Sequence, residues 1–401
     1  MHAQSFELPE RIMVGDPGSF AQHTLRFRVP EIVDKVAASL PTKSEERKHL
    51  LSLIEEIPEG HILDPFEEGC VREEEFHPEE VLNWKREIQV WGRSRWIDLP
   101  FYFAEAYLYL RILIAAGYYH KDSPYYRKDP FASQKEEEIQ GVLQAAEWEK
   151  TLERASDPYR ALLLMLKGNR VDLSNTKIAQ QGRKRVHHDE SEDLLINHLE
   201  ILAEKVTKSR RIDIVLDNAG SELICDLHFA CVVLSKGNSR VVLHGKAAPF
   251  FVSDATEKDV LETIHRLGRN DVYSSWGRSL KRFLDSGMLE VRSHYFWNGP
   301  CHFPALPEDL KEEFSRSDLV IFKGDANYRR LLEDRKWTFS ARLEDLLSWF
   351  PTDLAVLRTL KSEILVGLSD EKAQEMFTKD PNWLINGKWG IVQLVERKKE
   401  F

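Results

Sequence analysis

Apolar residues recur at helical spacing through the first half of the chain and in short β-branched runs through the second. In PEIVDKVAASL (30–40) and SEERKHLLSLIEEI (44–57) they fall at i, i+3, i+4 and i+7, the stripe of an amphipathic helix. From Leu99 to Tyr119 (LPFYFAEAYLYLRILIAAGYY) the chain is apolar for long enough to span a bilayer. Glu105 and Arg111 near its middle are too costly in lipid, so a helix buried in protein is expected. Asp98 is its expected N-cap, with Pro100 in the first turn.

Beyond about Lys208 the texture changes. RIDIVLDN, SRVVLHG, SDLVIFKGD and KWGIVQLVER each hold a run of strand length, and SELICDLHFACVVLS and EKDVLETIHRL read as helices between them. Strands alternating with helices predict a parallel sheet covered on both faces. The expected fold class is α/β: a Rossmann-like three-layer αβα core with a largely parallel sheet, preceded by a helical N-terminal region. The helical region is expected over 1–205 and the core over 206–401, as two units or one integrated domain. Between them lies the polar stretch SNTKIAQQGRKRVHHDESED (174–193). Its basic cluster Arg183, Lys184, Arg185, His187 and His188 runs directly into Asp189, Glu190, Glu192 and Asp193, the charge mixing of a solvated loop. There is no internal repeat.

Charge narrows the function classes. With 56 basic against 66 acidic residues the net charge is −10, the wrong balance for a protein that neutralises phosphate backbones, so no nucleic-acid partner is expected. No membrane partner is expected either, and protein partners are not readable. Four scattered cysteines (Cys70, Cys225, Cys231, Cys301) fit neither a disulfide framework nor a CxxC metal site. They read as thiols of a reducing compartment, the cytoplasm or alternatively the nucleus. The first fifteen residues lack the basic and apolar regions of a signal peptide.

In a parallel sheet, ligands bind beyond the carboxyl ends of the strands. After IDIVL come Asp217, Asn218, Ala219 and Gly220; after the next strand and its loop come Ser253 and Asp254; after DLVIF come Lys323, Gly324, Asp325, Ala326, Asn327, Tyr328 and Arg329. Carboxylate and amide oxygens are hard donors that suit Mg²⁺ or Mn²⁺. The lysine, the arginine and the helix start after Gly220 suit an anion. Metal, anion clamp and carboxylates together describe phosphate-ester hydrolysis. Each piece also has a plainer reading. Asp-Asn-Ala-Gly is a common turn, Ser253-Asp254 before Thr256 serves as a helix cap, and Gly324-Asp325 serves as a strand-to-helix turn. Glu105, in an apolar helix, either bridges to an arginine such as Arg111 or faces the cavity and meets sugar hydroxyls. Lys246 is a candidate phosphate contact, while His244 is read as a hydrogen-bonded core histidine.

LDNAGSELICDL (216–227), HGKAAPFFVSDATEKD (244–259), FKGDANYRRLLEDRKW (322–337) and LRTLKSEILVGL (357–368) resemble, in order, the signatures of the metal-dependent damage-control phosphatase family (domain of unknown function 89). They are most similar to its third subfamily, which holds acidic-residue-methyltransferase-like proteins and fungal sugar-phosphate phosphatases. Arg358-Thr359-Leu360-Lys361 resembles the RTxK motif of that branch. DLPFYFAEAYLYLRIL (98–113), DPF (129–131) and KGNRVDLS (167–174) are similar to further landmarks, so the likeness runs from about Gly18 to the end. Ser221, Phe250 and Ala326 depart from the usual wording, and none of these departures removes a ligand.

The resemblance implies a divalent ion (Mn²⁺, Co²⁺ or Ni²⁺, with Mg²⁺ also open) on Asp217, Asn218 and Asp254, the expected catalytic residues. It implies a sugar phosphate held by Asp325, Ala326, Asn327, Tyr328, Arg329 and Lys361, with Asp217 and Asn218 also touching it. Lys323, Arg329 and Lys361 are then candidates to neutralise the phosphoryl oxygens. The implied activity is hydrolysis of small phosphate monoesters such as fructose 1-phosphate or fructose 6-phosphate, in metabolite damage control. Attack by water and attack by Asp217 or Asp254 both stay open. The alternative is an S-adenosylmethionine-dependent protein-glutamate O-methyltransferase, in which Glu222 and Asp254 would contact the cofactor. Against it, the turn after the first strand has one glycine where an adenosine site usually has several. A non-catalytic scaffold is the second alternative, disfavoured by the complete ligand set.

Overall fold

In the computed structural model, which describes residues 8–57, 59–67, 69–168 and 193–397, seven strands form one sheet. They are β1 (Leu194–Asn197), β2 (Arg211–Val215), β3 (Arg240–Lys246), β4 (Leu289–His294), β5 (Leu319–Lys323), β6 (Leu354–Thr359) and β7 (Gly390–Val395). The spatial order is β1-β7-β6-β5-β2-β3-β4. All neighbours pair in parallel except β6 and β7, which are antiparallel. β2, β3, β5 and β7 match the apolar runs in the sequence. β4 escapes that pattern because it is an edge strand, only partly buried, and its LEVRSH alternates charge with apolar side chains. β1, on the other edge, has four residues, too few for a periodicity.

The sheet is the middle of three layers, and period-two alternation sorts its side chains between two cores. Val215, Val320, Phe322, Leu354, Val356, Ile391 and Val395 point to one. Ile212, Ile214, Leu319, Ile321, Ala355, Leu357, Val392 and Leu394 point to the other. Helices α1 (Val29–Ala38), α2 (Glu45–Glu56), α3 (Pro78–Trp91) and α4 (Phe101–Ala115) cover the first face. The second is covered by α5 (Pro158–Lys167), α6 (Leu199–Lys208), α7 (Ser221–Leu234), α8 (Glu257–Arg269) and α9 (Ser274–Asp285). Residues before and after 205 thus share both cores, and the expected boundary falls inside α6. The stretch 174–193 lies, apart from Asp193, outside the described residues.

α4 is the apolar run that resembles a membrane span. Twelve of its fifteen residues are buried, and no helix among the described residues is long and apolar enough to cross a membrane. Its N-cap is Pro100, not Asp98, which sits in a preceding 3₁₀ turn (Trp96–Asp98) paired with Arg95. Pro100 fits there because a cap residue needs no helical N–H bond.

From β2 the chain steps outward to β3 and β4, then returns to place β5 on the other side of β2. The β2/β5 boundary is therefore a topological switch point, where diverging connections open a crevice at the strand carboxyl ends.

Candidate active site

The loops leaving β2 and β3 are zipped together by the backbone. Asn218 and Asp254 form an isolated antiparallel bridge. The Ala219 N–H donates to the Ser253 carbonyl at 2.6 Å, and the Ala255 N–H donates to the Asp217 carbonyl at 2.9 Å. This zipper sets Asp217, Asn218 and Asp254 side by side although 37 positions separate the outer two in the sequence. Asp254 is not the cap of α8. Thr256 holds that place, its Oγ1 accepting from the Asp259 N–H at 3.1 Å, while Asp254 Oδ2 accepts from the Phe251 N–H at 3.0 Å.

The three side chains line one cavity of about 370 Å³, with Asp325, Arg329 and Lys361 on its other wall. Burial pushes the Asp217 carboxyl well above its usual range. The Glu222 and Asp254 charges push the same way, against the opposing pull of Lys246 and Lys361. Asp254 is also raised by burial, against Lys246. Two acids held towards the neutral form at one rim, beside an amide oxygen, are short of positive charge. Among the described residues no three His, Cys, Asp or Glu side chains group with metal-ligand spacing, so any ion here would rest on two carboxylates and the carboxamide. That all-oxygen set suits a hard divalent cation.

The opposite wall is built by helix α10 (Gly324–Leu331) and the end of β6. Burial would raise the Asp325 carboxyl, but Arg358 and Arg329 hold it below its usual range. Its Oδ1 accepts from Arg358 Nε at 2.8 Å, Ser362 Oγ at 3.1 Å and the Lys361 N–H at 3.3 Å. Arg358, fully buried, bonds in turn to the Ser362 and Ile364 carbonyls and lies 4.3 Å over the Tyr328 ring. The Arg-Thr-Leu-Lys segment therefore shapes the wall through Arg358 and offers the cavity Lys361.

Not every expected residue reaches the cavity. On α10, Asp325, Ala326 and Arg329 face it, while Asn327 and Tyr328 occupy the opposite arc of the helix and turn into the protein. Asn327 Nδ2 ties α10 to the carbonyls of Leu216 and Lys323, and Tyr328 Oη donates to Gln393. Lys323 ends β5 beneath the floor, with Nζ bonded to Glu222 at 2.9 Å, Asp226 at 2.8 Å and the Met165 carbonyl at 3.0 Å. An ammonium with three donors so engaged has none left for phosphate. Glu222, the expected S-adenosylmethionine contact, lies beside it, buried and off the cavity wall. Lys246 is likewise buried and off the wall; it acts on Asp217 and Asp254 through its charge.

Glu105 takes a third course. It lines the cavity and pairs with Arg329 at 2.6 Å, whereas Arg111 pairs with Glu56. Arg329 is also held by Asp334 at 2.8 and 3.0 Å and lies over the Phe101 ring, which joins the helical region to the sheet. His244 is the core histidine expected, bonded to Asp213 at 2.7 Å.

Sequence reasoning missed Phe20, Arg28, Ile32 and Lys35, which also line the cavity. The last three are spaced by four and three, one helix stripe, interrupted before α1 by a π-helical turn over Thr24–Arg28. A charged stripe beside an apolar one was the available signal. A larger depression of about 860 Å³ opens on the far side, around Lys205, Asp318 and Asp353, where Lys205 and Asp353 neutralise each other.

A family model for the damage-control phosphatase ARMT1-like domain matches residues 24–376. The mouse damage-control phosphatase ARMT1 is 32% identical, over 96% of this chain and 98% of its own length. The human protein of that name is 30% identical over 96% and 98%, and the zebrafish one 29% over 100% of both. Among solved structures, a DUF89 family protein from Pyrococcus horikoshii superimposes over 93% of this chain and 96% of its own, with TM-score 0.50 and 15% identity, a likeness of fold. By the match along most of its length, this chain belongs to the damage-control phosphatase ARMT1-like family.

Proposed function

We propose that the protein is a phosphatase acting on small phosphate monoesters, sugar phosphates such as fructose 1-phosphate or fructose 6-phosphate among them, with a divalent cation on Asp217, Asn218 and Asp254. The observation that carries this reading is the pair of buried, charge-deficient carboxylates on the wall of a cavity that also exposes Lys361. A divalent ion bound there supplies Lewis-acid polarisation of a phosphoryl oxygen.

The chain's own groups do the rest. Lys361, with Arg28 and Lys35 opposite it on the helical side, surrounds the place where a dianion would sit. Arg329 has most of its donors committed to Asp334 and Glu105, so it acts as a fixed positive wall. Glu105, Gln134 and Ser253 put carboxylate, amide and hydroxyl groups on the remaining perimeter, which suits a polyol. A cavity of about 370 Å³ is within the range of small-molecule sites.

The test is a panel of sugar phosphates assayed after chelation and after return of Mn²⁺, Co²⁺, Ni²⁺ or Mg²⁺ one at a time. Phosphate release should stop on chelation and recover with at least one ion. Asp254→Ala should remove release with every ion while keeping the wild-type melting profile of the metal-free protein. Turnover by Asp254→Ala, or release indifferent to chelation, defeats the proposal.

A further inference from the structure

We infer that Glu222, locked in place by Lys323, is a positioning residue that turns the carboxamide oxygen of Asn218 outward; this rests on the cation reading above. Asn218 Nδ2 donates one proton to Asp217 Oδ2 at 3.0 Å and the other to Glu222 Oε2 at 2.9 Å. Its Oδ1 accepts from Ser253 Oγ at 2.6 Å, on the cavity wall. The two ends of a carboxamide are nearly the same shape, and only hydrogen-bond partners decide which way it faces. A flipped Asn218 would set its oxygen against two carboxylate oxygens and offer N–H to a cation.

Glu222 enforces the choice only while it accepts. Its Oε1 receives Lys323 Nζ at 2.9 Å, and Lys323 cannot swing away, because Asp226 and the Met165 carbonyl hold its other protons. Both side chains are almost wholly buried. A chain of contacts thus runs from the end of β5 through the first turn of α7 to the loop after β2. It gives Lys323 and Glu222 a task that needs no contact with substrate. Such outer partners typically set metal affinity within 10–100-fold.

The experiment is Mn²⁺ binding to the metal-free protein, measured by calorimetry, with thermal melts as the check on folding. In Glu222→Gln, the new amide gives its oxygen to Lys323 and turns N–H towards Asn218 Nδ2, so the outward orientation of the oxygen keeps Asp217 alone as its support. Affinity should fall roughly 10–100-fold. Asn218→Asp alone sets the new carboxylate against those of both Asp217 and Glu222 and should also bind weakly. When the two substitutions are combined, the introduced amide donates to the introduced carboxylate and the bond between 218 and 222 re-forms with its direction reversed, while the contact with Asp217 stays carboxylate against carboxylate. Affinity should then recover by about fivefold or more over Asn218→Asp alone, on the same scale. The double variant carries the same glutamine, so its recovery separates reorientation from unfolding. Wild-type affinity in Glu222→Gln, wild-type or tighter binding in Asn218→Asp, or a folded double variant without recovery overturns the inference. A wild-type protein that takes up no Mn²⁺ overturns the cation reading itself.

Discussion

A methyl group placed on Gly324 would lie 1.8 Å from Asp217 Oδ2. Gly324 also has φ +80°, a conformation that other residues rarely adopt. The first residue of α10 therefore has no side chain because the carboxylate at the end of β2 occupies that space. Gly324→Ala should displace Asp217 and strain the turn, lowering stability by about 1–3 kcal/mol. Phosphate release should fall much further than stability does. Urea unfolding and the sugar-phosphate assay, run on the same preparation, check both halves. An alanine variant with wild-type turnover would show that Asp217 has no fixed position to defend.

How much of this was legible in the sequence follows from the range of each interaction. The strands beside the switch point were readable because β2, β3 and β5 are central, and central parallel strands are buried on both faces and carry runs of apolar residues. Their endings pointed to Asp217, Asn218, Asp254 and Asp325, all of which line the cavity. What a linear reading could not supply was orientation. Lys323 and Arg329 lie six positions apart with the same charge, yet one is sealed under the floor and the other lines the wall. The difference depends on Glu222 and Asp226, about a hundred positions upstream. Arg28 and Lys35 were overlooked for a similar reason, since only packing of the helical layer brings them to the strand ends.

Lys361 is the cavity cation whose role is cleanest to test. Its side chain makes no ion pair within 4 Å among the described residues, so removing it breaks no close pair and takes away only a longer-range pull on Asp217. If it holds phosphate equally in the bound and transition states, Lys361→Ala should raise KM about tenfold, near 1.4 kcal/mol, with kcat within twofold. A fall in kcat at unchanged KM would instead show a contact that tightens only as charge develops. Steady-state kinetics on one sugar phosphate at saturating divalent ion separates the two.

Arg330 makes a contrasting prediction, because it follows the cavity arginine yet is wholly structural. Its guanidinium bonds to the carbonyls of Phe296, Trp297 and Cys301 and lies 4.7 Å from the ring centres of Phe296 and Phe303. Arg330→Met would leave three buried carbonyls without donors, at about 1–3 kcal/mol each. Denaturant titration should show a loss on the order of 3 kcal/mol or more. Sugar-phosphate KM in the fraction that stays folded should change little.

Glu80 gives a pH dependence remote from the cavity. It is buried on α3, with Oε1 accepting from Tyr119 Oη at 3.0 Å and Oε2 from the His77 N–H at 3.3 Å. Burial raises its carboxyl from 4.5 to about 7, partly offset by those two bonds and by the Arg127 charge. Because the folded value is the higher one, the contribution to stability is complete below about pH 4.5 and is lost as pH rises through about 7. The gap corresponds to about 3 kcal/mol at most. Glu80→Gln cannot ionise, so it should remove this part of the pH dependence, at a pH-independent cost of about 1 kcal/mol for the acceptor it loses. Urea midpoints at pH 5 and pH 8 measure it: the wild type should lose more stability between them than the variant. Equal losses in the two proteins would mean that Glu80 keeps an ordinary carboxylate in the fold, and that Arg127 and the His77 N–H outweigh burial there.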